Sequence, residues 1–124
     1  VHGFEVIVSA VEDATRNAVN NQIGNVKFHV ANLDNYFKFS KGKKYPKPDI
    51  IVVDPPRAGM HKFMIDYLPK FEAKKIIYIS CNPTTQARDT EVLLQKGYKL
   101  KRLTLVDMFP HTPHIETVGV FQKN

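Results

Sequence analysis

The amino-acid sequence predicts an α/β fold, a mostly parallel sheet covered by helices with an antiparallel strand pair at its end. Two apolar runs, Ile50-Ile51-Val52-Val53 and Ile76-Ile77-Tyr78-Ile79, lack polar alternation, as strands buried on both faces of a parallel sheet do. Helical and strand patterns alternate along the chain, the order expected of a layered α/β sandwich with helices on both faces. Residues 98–107 and 114–121 read as two further strands. The turn between them holds Pro110 and Pro113, so an antiparallel pairing suits them.

Taken in order, residues 1–5 form the first strand candidate. A helix follows over about 9–23: Ser9 and Glu12 have capping-box spacing, Ala10, Ala14 and Ala18 supply one face, and Gly24 stands where a helix end wants a left-handed residue. Residues 26–31 give the second strand and 50–53 the third. Met60, Phe63, Met64, Tyr67 and Leu68 then follow an i, i+3, i+4, i+7, i+8 stripe, which predicts one amphipathic helix packed on the sheet. This stripe is core rather than chemistry. After the strand at 76–79, Asn82 and Pro83 are the N-cap and first position of a helix that runs through Val92, Leu93 and Leu94 to Gly97. The sequence shows no internal repeat.

With 124 residues, 43% hydrophobic and 24% charged, the chain can form one compact domain with a core. No apolar run reaches the roughly 18 residues needed to cross a bilayer, and no signal pattern opens the sequence, so a cytoplasmic location is expected. A single cysteine, Cys81, excludes an internal disulfide and is either a small buried hydrophobe or a reactive thiol. The formal charge of +6 favours a polyanionic partner. A solvated basic loop explains Lys41, Lys43, Lys44 and Lys47 at least as well. The chain begins at Val1 with a strand-like segment, as a fragment would.

Three stretches carry candidate chemistry. Asp54-Pro55-Pro56-Arg57 follows a buried strand, where the crevice at the carboxyl ends of parallel strands collects ligands. Two prolines stiffen that turn and hold Asp54 and Arg57 outward, either as ligand groups or as a surface pair on a rigid loop. Ser80-Cys81-Asn82-Pro83 ends the next strand, which brings Cys81 into the same crevice ahead of a helix N-terminus. Positive potential there favours the thiolate of a group whose free pKa is about 8.5, so the reactive reading is preferred. The third stretch runs from Asp107 to Thr117. Glu116 in it is either solvent-facing by strand alternation or held at a site. His111 and His114 lack a third ligand at convincing spacing, so no metal is expected.

These stretches resemble, in order and context, three motifs of the RNA uracil-5-methyltransferase family: D-P-P-R at Asp54 to Arg57, S-C-N-P at Ser80 to Pro83, and D-x-F-P-x-T-x-H-x-E at Asp107 to Glu116. Gly3-Phe4-Glu5 and Ala10 to Ala14 are similar to that family's second strand and following helix. The resemblance spans nearly the whole chain. It implies a Rossmann-like class I methyltransferase sheet with the antiparallel C-terminal pair, and S-adenosylmethionine as cofactor. It further implies Cys81 as nucleophile, Glu116 as general base, Glu5 on the cofactor ribose, Asp54 at the cofactor and Arg57 positioning the base. Glu12 is then a helix cap only. Where the family often has an aspartate near the adenine, this chain has Asn32, and no adenine contact is assigned to it.

The glycines are scattered and no G-x-G-x-x-G turn exists, so the first strand and Gly-rich motif of such a sheet are missing. On that basis residues 1–124 are expected to be the C-terminal portion of a catalytic domain that acts on tRNA or rRNA in the full-length enzyme. Alone, the chain is expected to bind cofactor weakly or not at all, and either to self-associate or to close the gap by pairing the strands that flank it. Two rival readings stand beside this one. D-P-P after a strand also occurs in adenine amino-methyltransferases, although those usually place an aromatic residue where Arg57 stands. A silent RNA-binding module would keep only the basic surface.

Overall fold

Apolar runs and helical stripes in this sequence condense into two compact units, Val1–Lys43 and Lys44–Asn124, in a computed structural model that describes residues 1–32 and 46–124. Lys41, Lys43 and Lys44 of the basic run lie outside the described residues.

The first unit holds strand β1 (His2–Glu5), helix α1 (Val8–Asn20) and strand β2 (Lys27–Val30). β1 and β2 pair in parallel from His2↔Lys27 to Glu5↔Val30, and the connecting α1 packs on both. This is the crossover a parallel pair requires. Ala18 is the buried residue of α1.

Both ends of α1 differ from the capping box and glycine cap expected. The helix starts after Ile7 as N-cap, and no side chain caps it. Ser9 and Glu12 lie within the helix instead. The reason is Glu5, whose Oε1 accepts from the Val6 N–H at 2.6 Å and the Ile7 N–H at 2.9 Å, turning the chain into the helix before Ser9 is reached. At the other end Gln22, not Gly24, takes the left-handed conformation, with φ 57°. Gln22 N–H bonds to Val19 O at 3.0 Å and Ile23 N–H to Ala18 O at 2.8 Å, the paired bonds of a Schellman motif.

The second unit is a four-stranded sheet in the order β3-β4-β6-β5, made of β3 (Ile50–Val53), β4 (Lys75–Ser80), β5 (Tyr98–Val106) and β6 (Glu116–Lys123). β3 and β4 are parallel, and β6 runs antiparallel to both β4 and β5. The expected antiparallel pair is therefore present, with its second strand inserted beside β4. Within their own units β1 pairs with β2 and β3 with β4.

Helix α2 (Lys62–Tyr67) is shorter than the stripe implied, and continues as a 3-10 turn over Leu68–Phe71. Pro69 within that turn explains the change, since a proline lacks the N–H an α-helix would use. Met60 precedes the helix and Ile65, outside the stripe, is its buried residue. Helix α3 (Pro83–Gln95) begins as expected: the Asn82 side chain accepts from the Thr84 N–H at 3.2 Å and Pro83 needs no partner. Gly97, at φ +88°, ends it.

The core joins Met60, Ile65, Leu68, Ile76, Tyr78, Leu93, Tyr98 and Phe121. Its strand residues share one face, because Ile76 pairs with Phe121 across β4 and β6. α2 and α3 both contribute to this cluster, so among the described residues the helices of this unit pack on one face. The expected burial of both faces is corrected accordingly: Ile76 and Tyr78 are fully buried, while Ile50 and Val52 stay 52% and 60% exposed.

Candidate active site

Strand register decides which chemistry-bearing residues meet. Ser80↔Thr117 is the last pair of β4 with β6, so Cys81, one residue past Ser80, and Glu116, the first residue of β6 and paired with Val106 of β5, lie at the same end of the sheet. β3 ends there too. Val53 pairs with Tyr78, which sets Asp54 beside the Ile79 level and opens the Asp54-Pro55-Pro56-Arg57 turn at the carboxyl ends of two parallel strands. Strand alternation assigns Glu116 of β6, and, carried one residue past the ends of β3 and β4, Asp54 and Cys81, to the face opposite the Tyr78 and Phe121 core. Cys81 and Glu116 are half-buried and Asp54 is exposed.

The turn holding Cys81 is fixed from both sides. Ser80 Oγ accepts from the Asn82 N–H at 3.1 Å and donates to Asn82 O at 3.0 Å, and Thr117 Oγ1 donates to Ser80 O at 3.2 Å. Ser80 and Thr117 are buried, where an unpaired hydroxyl would be costly, so this turn has one arrangement rather than several.

Arg57 is tied to the same turn through its backbone. Its carbonyl accepts from Asn82 Nδ2 at 3.0 Å and from Thr85 Oγ1 at 3.2 Å. Its side chain is exposed and approaches His114, with Arg57 Nη1 donating toward His114 Nδ1 at 3.4 Å. That contact needs a neutral imidazole with its proton on Nε2. His114 in turn sits in a compact loop, in which the Thr112 hydroxyl donates to Phe109 O at 2.8 Å and accepts from the His114 N–H at 3.3 Å. Met108 and Phe109, in the loop that leaves β5 after the Val106↔Glu116 pair, are 60% and 53% exposed. His111 adopts φ 67°.

Of the residues singled out in the sequence, Cys81, Glu116, Asp54 and Arg57 thus gather at one sheet end of the second unit. Glu5 belongs to the first unit, at the carboxyl end of β1, with Oε1 held by two backbone N–H groups. Asn82 does more than cap a helix, since the same side chain bridges to Arg57. Arg88 and Asp89, on α3, also reach the Asp54 to Met60 loop. An adjacent Arg-Asp pair in mid-helix reads as solvated surface, and nothing in the sequence sets it apart.

The family model described as tRNA (Uracil-5-)-methyltransferase matches residues 1–124. The chain belongs to this family. It is 45% identical, over 98% of its length, to an uncharacterized RNA methyltransferase of Chlorobaculum tepidum. Over 98% of its length it is 43% identical to the 23S rRNA (uracil(1939)-C(5))-methyltransferase RlmD of Histophilus somni. Among solved structures, the Pyrococcus abyssi tRNA (uracil-54, C5)-methyltransferase in complex with S-adenosyl-L-homocysteine superposes with a TM-score of 0.80 at 36% identity. That match covers 98% of this chain and 28% of that one. The chain spans 25% and 27% of the lengths of the two curated relatives. The fold of this tRNA (uracil-5-)-methyltransferase family member is the Rossmann-like class I methyltransferase sheet.

Proposed function

We propose that this chain carries the catalytic end of an enzyme that methylates C5 of uridine in RNA through a covalent cysteine adduct. The observation supporting it is the Ser80↔Thr117 register, which brings a cysteine and a carboxylate to one sheet end beside the Asp54 to Arg57 turn. Uracil C5 is a poor nucleophile until a group adds to C6. S-adenosylmethionine, when bound, supplies an electrophilic methyl group on a sulfonium.

Cys81 Sγ forms a bond to C6 and the displaced electron pair moves to C5, which would bond the methyl as the methyl–sulfur bond breaks and its electron pair stays on the sulfur as a neutral thioether. Glu116 then takes the C5 proton, the electrons return to the C5–C6 bond, and the Cys81 thiolate leaves. Arg57 positions the base, and the exposed Phe109 ring offers a face for a nucleobase lifted out of its stack. Glu5 fits a ribose diol, because hydroxyls donate to carboxylates and this one lies at a strand's carboxyl end. Asp54, exposed at the end of β3, is the second residue assigned to the cofactor. The relatives' names cover both ribosomal and transfer RNA uridines, so RNA is the substrate class.

The test is made in the full-length protein with 5-fluorouridine RNA, whose C5 fluorine cannot leave as a proton does. The wild type is expected to form a stable adduct seen as a denaturing-gel shift, and Cys81→Ala to form none. An adduct that persists in Cys81→Ala rules out this mechanism. Salt-dependent RNA binding without any adduct in the wild type would point to a silent binding module instead.

A further inference from the structure

Asp89 lies within α3 at 2% exposure, and none of the steps above uses it. Its carboxylate receives four donors. Oδ2 accepts from the Met60 N–H and from the Tyr78 hydroxyl, each at 2.8 Å, while Oδ1 accepts from Arg88 Nε at 2.9 Å and Nη2 at 2.7 Å. A buried carboxylate is tolerated only when its lone pairs are met in this way. Burial, and then the Asp89 carboxylate itself, hold the Tyr78 phenol above its ordinary range, so Tyr78 is the donor in this pair at neutral pH.

Arg88 extends the network to the loop that bears Asp54 and Arg57. Its Nη2 reaches Ala58 O at 3.0 Å and Met60 O at 3.4 Å. Gly59 passes so close, at φ +80°, that a Cβ there would lie 2.5 Å from Arg88 Nη2 and 2.8 Å from Asp89 Oδ2. The loop is therefore gripped at both ends. Asn82 and Thr85 hold the Arg57 carbonyl, and Arg88 and Asp89 hold residues 58 to 60. An apolar residue at position 89 would leave the buried Tyr78 hydroxyl and the Met60 N–H without an acceptor, so this carboxylate ties the core to the turn.

We propose that Asp89, acting with Arg88, is a positioning residue that holds the Asp54 to Arg57 turn in its working geometry, so that its loss acts on the reaction through Arg57. The proposal rests on the uridine-methylation reading and deepens it. Asp89→Asn is a selective test, because the Asn carbonyl can still accept from Met60 and Tyr78 while its NH2 group faces the Arg88 guanidinium and expels it. Arg88→Lys is the second variant: it keeps a cation to pair with Asp89 but lacks the planar fork that also donates to the Ala58 and Met60 carbonyls.

The measurement is single-turnover methyl transfer by the full-length enzyme to unmodified tRNA and ribosomal RNA transcripts, in each variant alone and combined with Arg57→Ala, alongside the melting temperature. Asp89→Asn and Arg88→Lys are each expected to slow transfer at least about tenfold in the native background. In the Arg57→Ala background the same changes are expected to slow it less than about twofold, since the residue they act through is already gone. Full additivity with Arg57→Ala, or an unchanged rate in the single variants, overturns the proposal. If Asp89→Asn does not fold, Arg88→Lys is read by the same criteria. Failure of the uridine reading would appear separately, in a wild-type enzyme that forms no adduct with 5-fluorouridine RNA.

Discussion

Glu116 and Cys81 are neighbours by register rather than by sequence, and their proposed tasks separate in time. In the proposed mechanism Cys81 forms the adduct and Glu116 dissolves it. Glu116→Gln keeps the size of the side chain at the start of β6 but exchanges one acceptor oxygen for an NH2 donor and cannot accept the C5 proton. The expected outcome with uridine RNA and S-adenosylmethionine is methyl transfer followed by a protein that stays attached, with turnover falling by about 10²- to 10⁴-fold. A denaturing gel of the reaction, with labelled methyl, reads both events in one lane. Free product at the wild-type rate would assign the base to another residue. The placement of both at one sheet end was legible in the sequence, because motif order and strand ends indicate it. Asp89 was not, since burial of a carboxylate depends on donors from Met60 and Tyr78, which lie 29 and 11 positions away.

At the level of elements, strands were legible because apolar runs and turn residues mark them, and their bounds differ by a residue or two from the structure. Helix ends were legible only where the signal was local. Asn82-Pro83 and Gly97 act as the sequence indicated. The start of α1 did not follow its capping box, because Glu5 bends the chain earlier from outside the helix. The bulge between Leu100 and Arg102, which leaves Lys101 without a register partner on β6, has no signature in a run this polar and apolar by turns.

The C-terminal end of α1 offers a direct check. Gln22 holds a left-handed φ of 57° that costs a side-chain-bearing residue about 1–2 kcal/mol. Glycine removes that cost but adds about 0.5–1 kcal/mol of chain entropy in the unfolded state. Gln22→Gly is therefore expected to leave the Schellman bonds intact and raise stability by about 0.5–1 kcal/mol, measured by urea denaturation. A loss of stability would mean that the Gln22 side chain contributes more than its backbone costs.

For the whole molecule, the balance between charge and exposed apolar surface sets how the isolated chain behaves in solution. β3 is an edge strand of its sheet among the described residues, with Ile50 and Val52 exposed on it. Leu103 and Leu105 on the opposite edge strand are 54% and 64% exposed. Unpaired strand edges with apolar side chains recruit further strands, and native proteins usually blunt them with charge or cover them. The net charge of +6 opposes association, but a charge of that size is screened over a Debye length of about 8 Å at physiological salt. Apolar burial is not weakened by such screening. The expected outcome is that residues 1–124 alone sediment above the monomer mass, and more so as salt is raised. Val52→Lys, placed on the exposed side of β3, should return the chain toward monomer by making strand addition bury a charge. Sedimentation equilibrium at two salt concentrations checks each step: a monomer at about 100 µM in both would show that these edges are not adhesive, and association falling with salt would trace it to charge pairing instead of the apolar edges.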